Sequence, residues 1–202
     1  MKSVYARLNQ LITKERLMSV TNFELGPLAL LLGQWQGEAG EDISPEPGGI
    51  EENSYYETLE FKAVQDVDNA EEQTLKTLQY EQYIRRKAGD KVIHHQLGYW
   101  TWDAEAEVVC NSFTIARRVA VLAGGTIKNV SNQTIFSVSA KKGSASWGII
   151  ESAFMRKKAS TTAFDQVLKV DGDTLSYQQT TLVDIYGKKQ FKHKDENTLH
   201  RV

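Results

Sequence analysis

Cysteine is almost missing from this chain of 202 residues, in which Cys110 stands alone. A single thiol closes no internal disulfide and builds no thiolate metal cluster within one chain. Charge of one sign is not in excess either, with 26 acidic side chains against 24 Lys and Arg. That balance gives no bulk attraction for phosphate backbones and argues against nucleic acid as a partner. Long apolar runs are absent too. The opening MKSVYARLNQLITKERLMSV interrupts its apolar residues with Arg, Lys and Glu, unlike the continuous core of a signal peptide. PLALLLG at 27–33 is too short to span a bilayer. A cytoplasmic location without a membrane span is therefore expected. The sequons at Asn129 and Asn132 read as chance matches, since glycosylation requires export.

The common signatures of nucleophilic and phosphate chemistry are missing as well. No GxSxG occurs, and Cys110 falls inside a strand-like run with no helix N-terminus to lower its pKa. LAGGT at 122–126 neither follows the Walker spacing nor opens a helix, and it reads as a strand that bends or admits a close backbone.

What the sequence does have is alternation. Hydrophobic residues make up 41% and charged residues 25%, enough for one sizeable core, and no repeat or linker marks a second domain. Val4, Leu8, Leu11 and Ile12 recur at helical spacing, so residues 1–26 read as a helical extension. GPLALLLG reads as a Pro-started turn stopped by Gly33. Beyond Gly33 the period becomes two: SYYETLEFKA puts Tyr55, Glu57, Leu59 and Phe61 on one face and Tyr56, Thr58, Glu60 and Lys62 on the other.

Strand-like runs follow at 73–86, 91–102, 107–115, 118–126, 133–141, 146–151, 160–170, 174–185 and 189–202, with turn residues in KAGDK, KKGSAS and VDGDT between some of them. With the strands around Trp35 and at 54–63, about ten or eleven consecutive antiparallel strands are expected, and no helix between them. So many strands most easily remove their edges by closing. Residues 27–202 are therefore predicted to form an all-β, single antiparallel up-and-down β-barrel of about ten strands, lipocalin-like, with a sandwich as the competing architecture. In EQTLKTLQYEQYIRR neither face is uniformly apolar, which suits a cavity with oriented polar contacts or a ribbon with one solvated end.

His94 and His95 are adjacent in VIHHQLGYWTWD. Successive strand side chains point to opposite faces, so the pair cannot converge on one ion without a bulge, and one of them faces inward as a hydrogen-bonded residue or a ligand. The pairs Arg85–Arg86 and Arg117–Arg118 likewise turn one member inward if they lie within the ladder. Arg85 and Arg117 are candidates to grip the carboxylate of a fatty acid or a haem propionate, the other reading being charged strand ends at a barrel rim.

PLALLLGQWQGEAG at 27–40, HHQLGYW at 94–100, and VDGDTLSY with the closing NTLHRV together resemble the nitrobindin family, haem-binding ten-stranded β-barrels related in fold to fatty-acid-binding proteins and lipocalins. The resemblance covers nearly the whole chain after residue 26. It aligns Gly33, Trp35 and Gly37 with the family's GxWxGxG, with Ala39 in place of the last glycine and Gly40 one position later. It sets His94, Gly98 and Tyr99 against a histidine element of the family.

By resemblance, then, haem b is the implied cofactor and His193, on the last strand, its implied iron ligand. Tyr55, Phe61, Tyr80, Tyr99, Trp100 and Phe113 are candidates to line a haem slot and read equally well as core. Family members isomerise peroxynitrite to nitrate on ferric haem. The expected function is a binding protein for a small hydrophobic or haem-like ligand. A haem-dependent peroxynitrite isomerase and a haem-free carrier of fatty acids or other amphiphiles are the alternatives. Self-association through the N-terminal extension would make the protein a homodimer.

Overall fold

The computed structural model describes residues 25–202. The helix read over 1–26 lies outside the described residues except for its last two positions, and the self-association expected of it goes with it. The first described element is a 3-10 turn, Gly26–Leu31, entered through Pro27, whose fixed φ suits a helix start. Gly33 follows with a φ of +104°, a conformation that side chains resist, and there the chain turns into its first strand.

The strands are β1 (Gly33–Glu46), β2 (Gly49–Asn69), β3 (Gln73–Arg86), β4 (Val92–Asp103), β5 (Val108–Ile115), β6 (Val119–Val130), β7 (Gln133–Lys141), β8 (Ile149–Glu151), β9 (Ala159–Asp171), β10 (Thr174–Ile185) and β11 (Lys188–Arg201). Every pairing is antiparallel. β1 pairs with both β2 and β11, β5 with β6, and β7 with β9, so ten strands close into a barrel. Closure leaves those strands no open edge. β8 is a short outlier on the start of β6. Its Glu151 is buried and accepts from Lys142 Nζ at 2.7 Å and Ser160 Oγ at 3.1 Å. Gly125 of β6 sits where a Cβ would collide with the Ser137 carbonyl of β7, the close backbone approach expected of LAGGT.

The expectation of no helix among the strands is corrected at two places, the first a three-residue 3-10 turn, Ala88–Asp90, between β3 and β4. Ala153–Lys158 forms a short helix, α1, between β8 and β9, with Ser152 Oγ accepting from Met155 N at 3.3 Å as its cap. Six residues are too few to show a helical period in sequence.

One half of the lumen is packed solid. Leu28, Leu31, Trp35, Leu78, Trp100, Phe136, Leu175 and Leu199 are fully buried there, and each such side chain contributes about 1.5–3 kcal/mol. Trp35 Nε1 donates to Leu31 O at 2.8 Å, and the Arg201 guanidinium lies 4.1 Å over the Trp35 ring while donating to Leu30 O and Leu32 O. These contacts fix the 3-10 turn as a plug, and the open lumen lies toward the other end.

β1 breaks its alternation once. Its pairing slips against β2 between Gly37 and Gly40 and against β11 between Gln36 and Glu41, a β-bulge in which Glu38 and Ala39 together oppose one residue of β2. Trp35 and Gly37 point inward before the bulge, Gly40 and Asp42 after it. A Cβ on Gly40 would fall inside the Tyr55 ring. Ala39 is thus the extra residue of the bulge rather than a replacement for the last glycine, and Gly33, Trp35, Gly37 and Gly40 satisfy GxWxGxG around it.

Candidate functional site

A cavity of about 390 Å³ occupies the open half of the barrel, a size usual for small-ligand sites. Apolar side chains such as Ile84, Phe113, Val121, Phe164 and Val183 line it beside Asp42, Asn53, Gln96, His193 and Asp195. Arg86 and Arg117 also reach its wall. Arg86 pairs with Glu51 at 3.0 Å through its terminal nitrogens, yet its Nε is buried with no hydrogen-bond partner among the described residues.

A belt of polar side chains separates cavity from core. His94 Nε2 donates to Gln96 Oε1 at 3.1 Å, Gln96 Nε2 to Tyr80 OH at 2.5 Å, and Tyr80 OH to Asn111 Oδ1 at 2.9 Å. Asn111 Nδ2 then donates to Gln166 Oε1, Gln166 Nε2 to Gln179 Oε1, and Gln179 Nε2 to Asp195 Oδ2, each at 3.2 Å. Every donor points the same way, so each bond polarises the next and the chain delivers its positive end to the Asp195 carboxylate.

At that terminus stands His193. Its Nε2 donates to Asp42 Oδ1 at 2.6 Å and lies 3.6 Å from Asp195 Oδ1. Burial works against the imidazolium, but the Asp42 hydrogen bond and the nearby Asp195 outweigh it and raise the His193 pKa. Burial likewise works against the Asp42 carboxylate, yet hydrogen bonds from His193 and Asn53 leave its pKa below the ordinary value. Asp195 goes the other way: burial, reinforced by the Asp42 charge, pushes it up to about 6. His94 also lines the cavity, and burial lowers its pKa to about 4, so its ring is neutral at pH 7.

A second buried acid lies deeper. Glu57 Oε1 accepts from Gln82 Nε2 at 2.7 Å, and its Oε2 accepts from Tyr177 OH at 2.9 Å and Asn197 Nδ2 at 2.8 Å. The Tyr55 and Tyr177 hydroxyls are 2.8 Å apart. Burial raises Glu57 to about 7 despite these donors. Gly37 makes room for this cluster, since a Cβ there would lie 2.7 Å from Asn197 Nδ2.

The residues singled out in the sequence divide sharply. His193, His94, Arg117, Tyr55 and Phe113 line the cavity. His95 points outward, its Nε2 donating to Glu81 at 2.7 Å, as strand alternation requires. Arg85 is also on the outer face, ion-paired with Asp90, and its neighbour Arg86 is the one at the cavity. Tyr99 is half exposed outside the barrel, and Phe61, Tyr80 and Trp100 belong to the packed core. Gly33, Trp35 and Gly37 build the plugged end and the bulge, away from the cavity wall. Cys110 stays a thiol, its pKa raised by burial to about 11.

Asp42, Asp195, Glu57 and Arg86 were missed as site residues. A signal existed for Asp195: alternation through FKHKDENTL puts His193, Asp195, Asn197 and Leu199 on one face. None existed for Asp42, which faces inward only because of the bulge.

A family model described as THAP4-like, heme-binding beta-barrel domain matches residues 24–201. Among solved structures, the chain is similar to the crystal structure of Rv2717c from M. tuberculosis, with 23% identity and a TM-score of 0.67 over 89% of this chain and 97% of that one. That likeness is one of fold. No curated protein matches the sequence. No helix among the described residues is long and apolar enough to cross a membrane.

Proposed function

The chain belongs to the THAP4-like, haem-binding β-barrel family, and from that premise we propose that its cavity holds haem b, with His193 as the iron's protein ligand. The observation that carries the reading is the placement of His193, a last-strand imidazole turned into a ligand-sized cavity. The rest of the wall fits the group. Arg86 and Arg117 offer guanidinium donors for two carboxylates, and the partnerless Nε of Arg86 is a donor that a bound anion would satisfy. Ile84, Phe113, Val121 and Phe164 supply apolar surface for a macrocycle and keep water from it.

Bound there, haem would supply an open-sided iron for binding small oxidants or gases, including the peroxynitrite isomerisation that the nitrobindin resemblance implies. The chain's part would be to present His193, whose ring is held through Nε2 by Asp42, and to hold the propionates. Hemin titrated into wild type and His193→Ala, read in the Soret region, tests this. A saturable, shifted band in the wild type that is lost or altered in the variant is expected; no specific band, or the same band in both, overturns it.

A haem-free carrier of anionic amphiphiles is the second reading, favoured by the Arg86 Nε beside an apolar wall. Mass spectrometry of material extracted from the purified protein separates the two.

A further inference from the structure

The sheet register sets two carboxylates face to face. Asp42 of β1 and Asp195 of β11 are direct cross-strand partners, and both line the cavity. Like charges directly opposite each other destabilise a sheet, and the protein interior screens them poorly. Among the described residues neither acid pairs with a Lys or Arg, and the imidazole of His193 is the cationic group within ion-pair distance of both.

Each carboxylate is anchored by its far oxygen. Asn53, opposite Asp42 on β2, donates Nδ2 to Asp42 Oδ2 at 2.9 Å, and Gln179, opposite Asp195 on β10, donates Nε2 to Asp195 Oδ2 at 3.2 Å. The near oxygens converge on one nitrogen, with Asp42 Oδ1 at 2.6 Å and Asp195 Oδ1 at 3.6 Å from His193 Nε2. All three ligand atoms lie within 4.8 Å of one another. Metal bonds of about 2.1 Å place neighbouring ligand atoms roughly 3 Å apart, so these spacings bracket a coordination face. Outside donors that fix the far side of a ligand are what orients metal carboxylates in proteins.

We propose that Asp42, His193 and Asp195 bind a divalent first-row transition ion, with the cavity side left open for water or a further ligand. One imidazole with two carboxylates suits Mn²⁺, Fe²⁺, Co²⁺ or Zn²⁺, and the lack of sulfur excludes a soft Cu(I) site. The ion takes the place of the Nε2 proton, which leaves to solvent on binding. The inference goes beyond the haem reading and does not rest on it. Both occupants draw on the His193 imidazole, so they compete for it.

Chelator-treated protein titrated with Co²⁺, read in its visible absorption and by calorimetry, is the test. Wild type is expected to bind one ion saturably. Asp42→Asn and Asp195→Asn each lose that binding, and Asn53→Ala weakens it by about 10–100-fold. Near-ultraviolet circular dichroism of each variant checks that the barrel is intact, and Asn53→Ala serves as the readout if an acid variant does not fold. The proposal is overturned by an absence of saturable binding, or by Asp variants that bind as wild type does, which would mean that His193 holds the ion alone. Hemin titration of the wild type reports the haem reading separately: a Soret shift with no cobalt site removes this inference alone, and a cobalt site without a Soret shift removes the haem reading alone.

Discussion

Glu57 is fully buried and pairs with no cation among the described residues, and three neutral donors do not offset its burial. Its pKa stands at about 7 against an ordinary 4.5. The folded state therefore holds the proton more tightly than the unfolded chain, so the group's stabilising effect is full below pH 4.5 and is lost as pH rises through 7. A shift of this size corresponds to at most about 3 kcal/mol. Urea unfolding at pH 5 and pH 8 should show wild type losing stability with rising pH and Glu57→Gln losing less, the remainder coming from Asp195 and His193, whose pKa values are also raised; equal slopes would refute the buried-acid account. The inward direction of Glu57 was legible in SYYETLEFKA, because it shares a face with Tyr55, Leu59 and Phe61. Its partners were not legible, since Gln82, Tyr177 and Asn197 come from three other strands and only the closed barrel brings them together.

At the scale of elements, three runs read as strands coincide with β3, β7 and β10 to the residue, because each is bounded by turn residues and long enough to show its alternation. Parity within a strand was harder to read. Assigning Arg85 to the interior failed by one residue, since β3 carries Gln82, Ile84 and Arg86 on its cavity face. The bulge in β1 decides the same question for Asp42, and it makes a paired prediction. Deleting Ala39 removes the extra residue, leaves Gly40 and Asp42 inward, and should give a folded barrel that still takes hemin. Deleting Glu41 leaves the bulge and reverses everything after it, turning Asp42 outward and Ile43 inward; this variant should fold less stably and lose Co²⁺ binding. Equal behaviour of the two deletions, by thermal unfolding and by titration, would show that β1 is not fixed by its alternation.

For the whole molecule, the division along the barrel axis matters most. Leu28, fully buried in the plug, touches the packed half and does not line the cavity. Leu28→Ala should destabilise the protein by about 2–5 kcal/mol and leave the midpoint of a hemin titration at low temperature where it was; a weakened midpoint would show the halves to be coupled. The sequence announced a closed barrel through its strand count, but not this division. The division rests on the belt from His94 to Asp195, whose members are scattered over six strands, β3, β4, β5, β9, β10 and β11. The belt also acts as insulation. Beyond it the fully buried residues of the packed half are shielded from whatever occupies the cup above, so Ile84, Thr181 and Val183, which line the cavity outside the core cluster, can be exchanged to re-line the vessel while its base stays sealed.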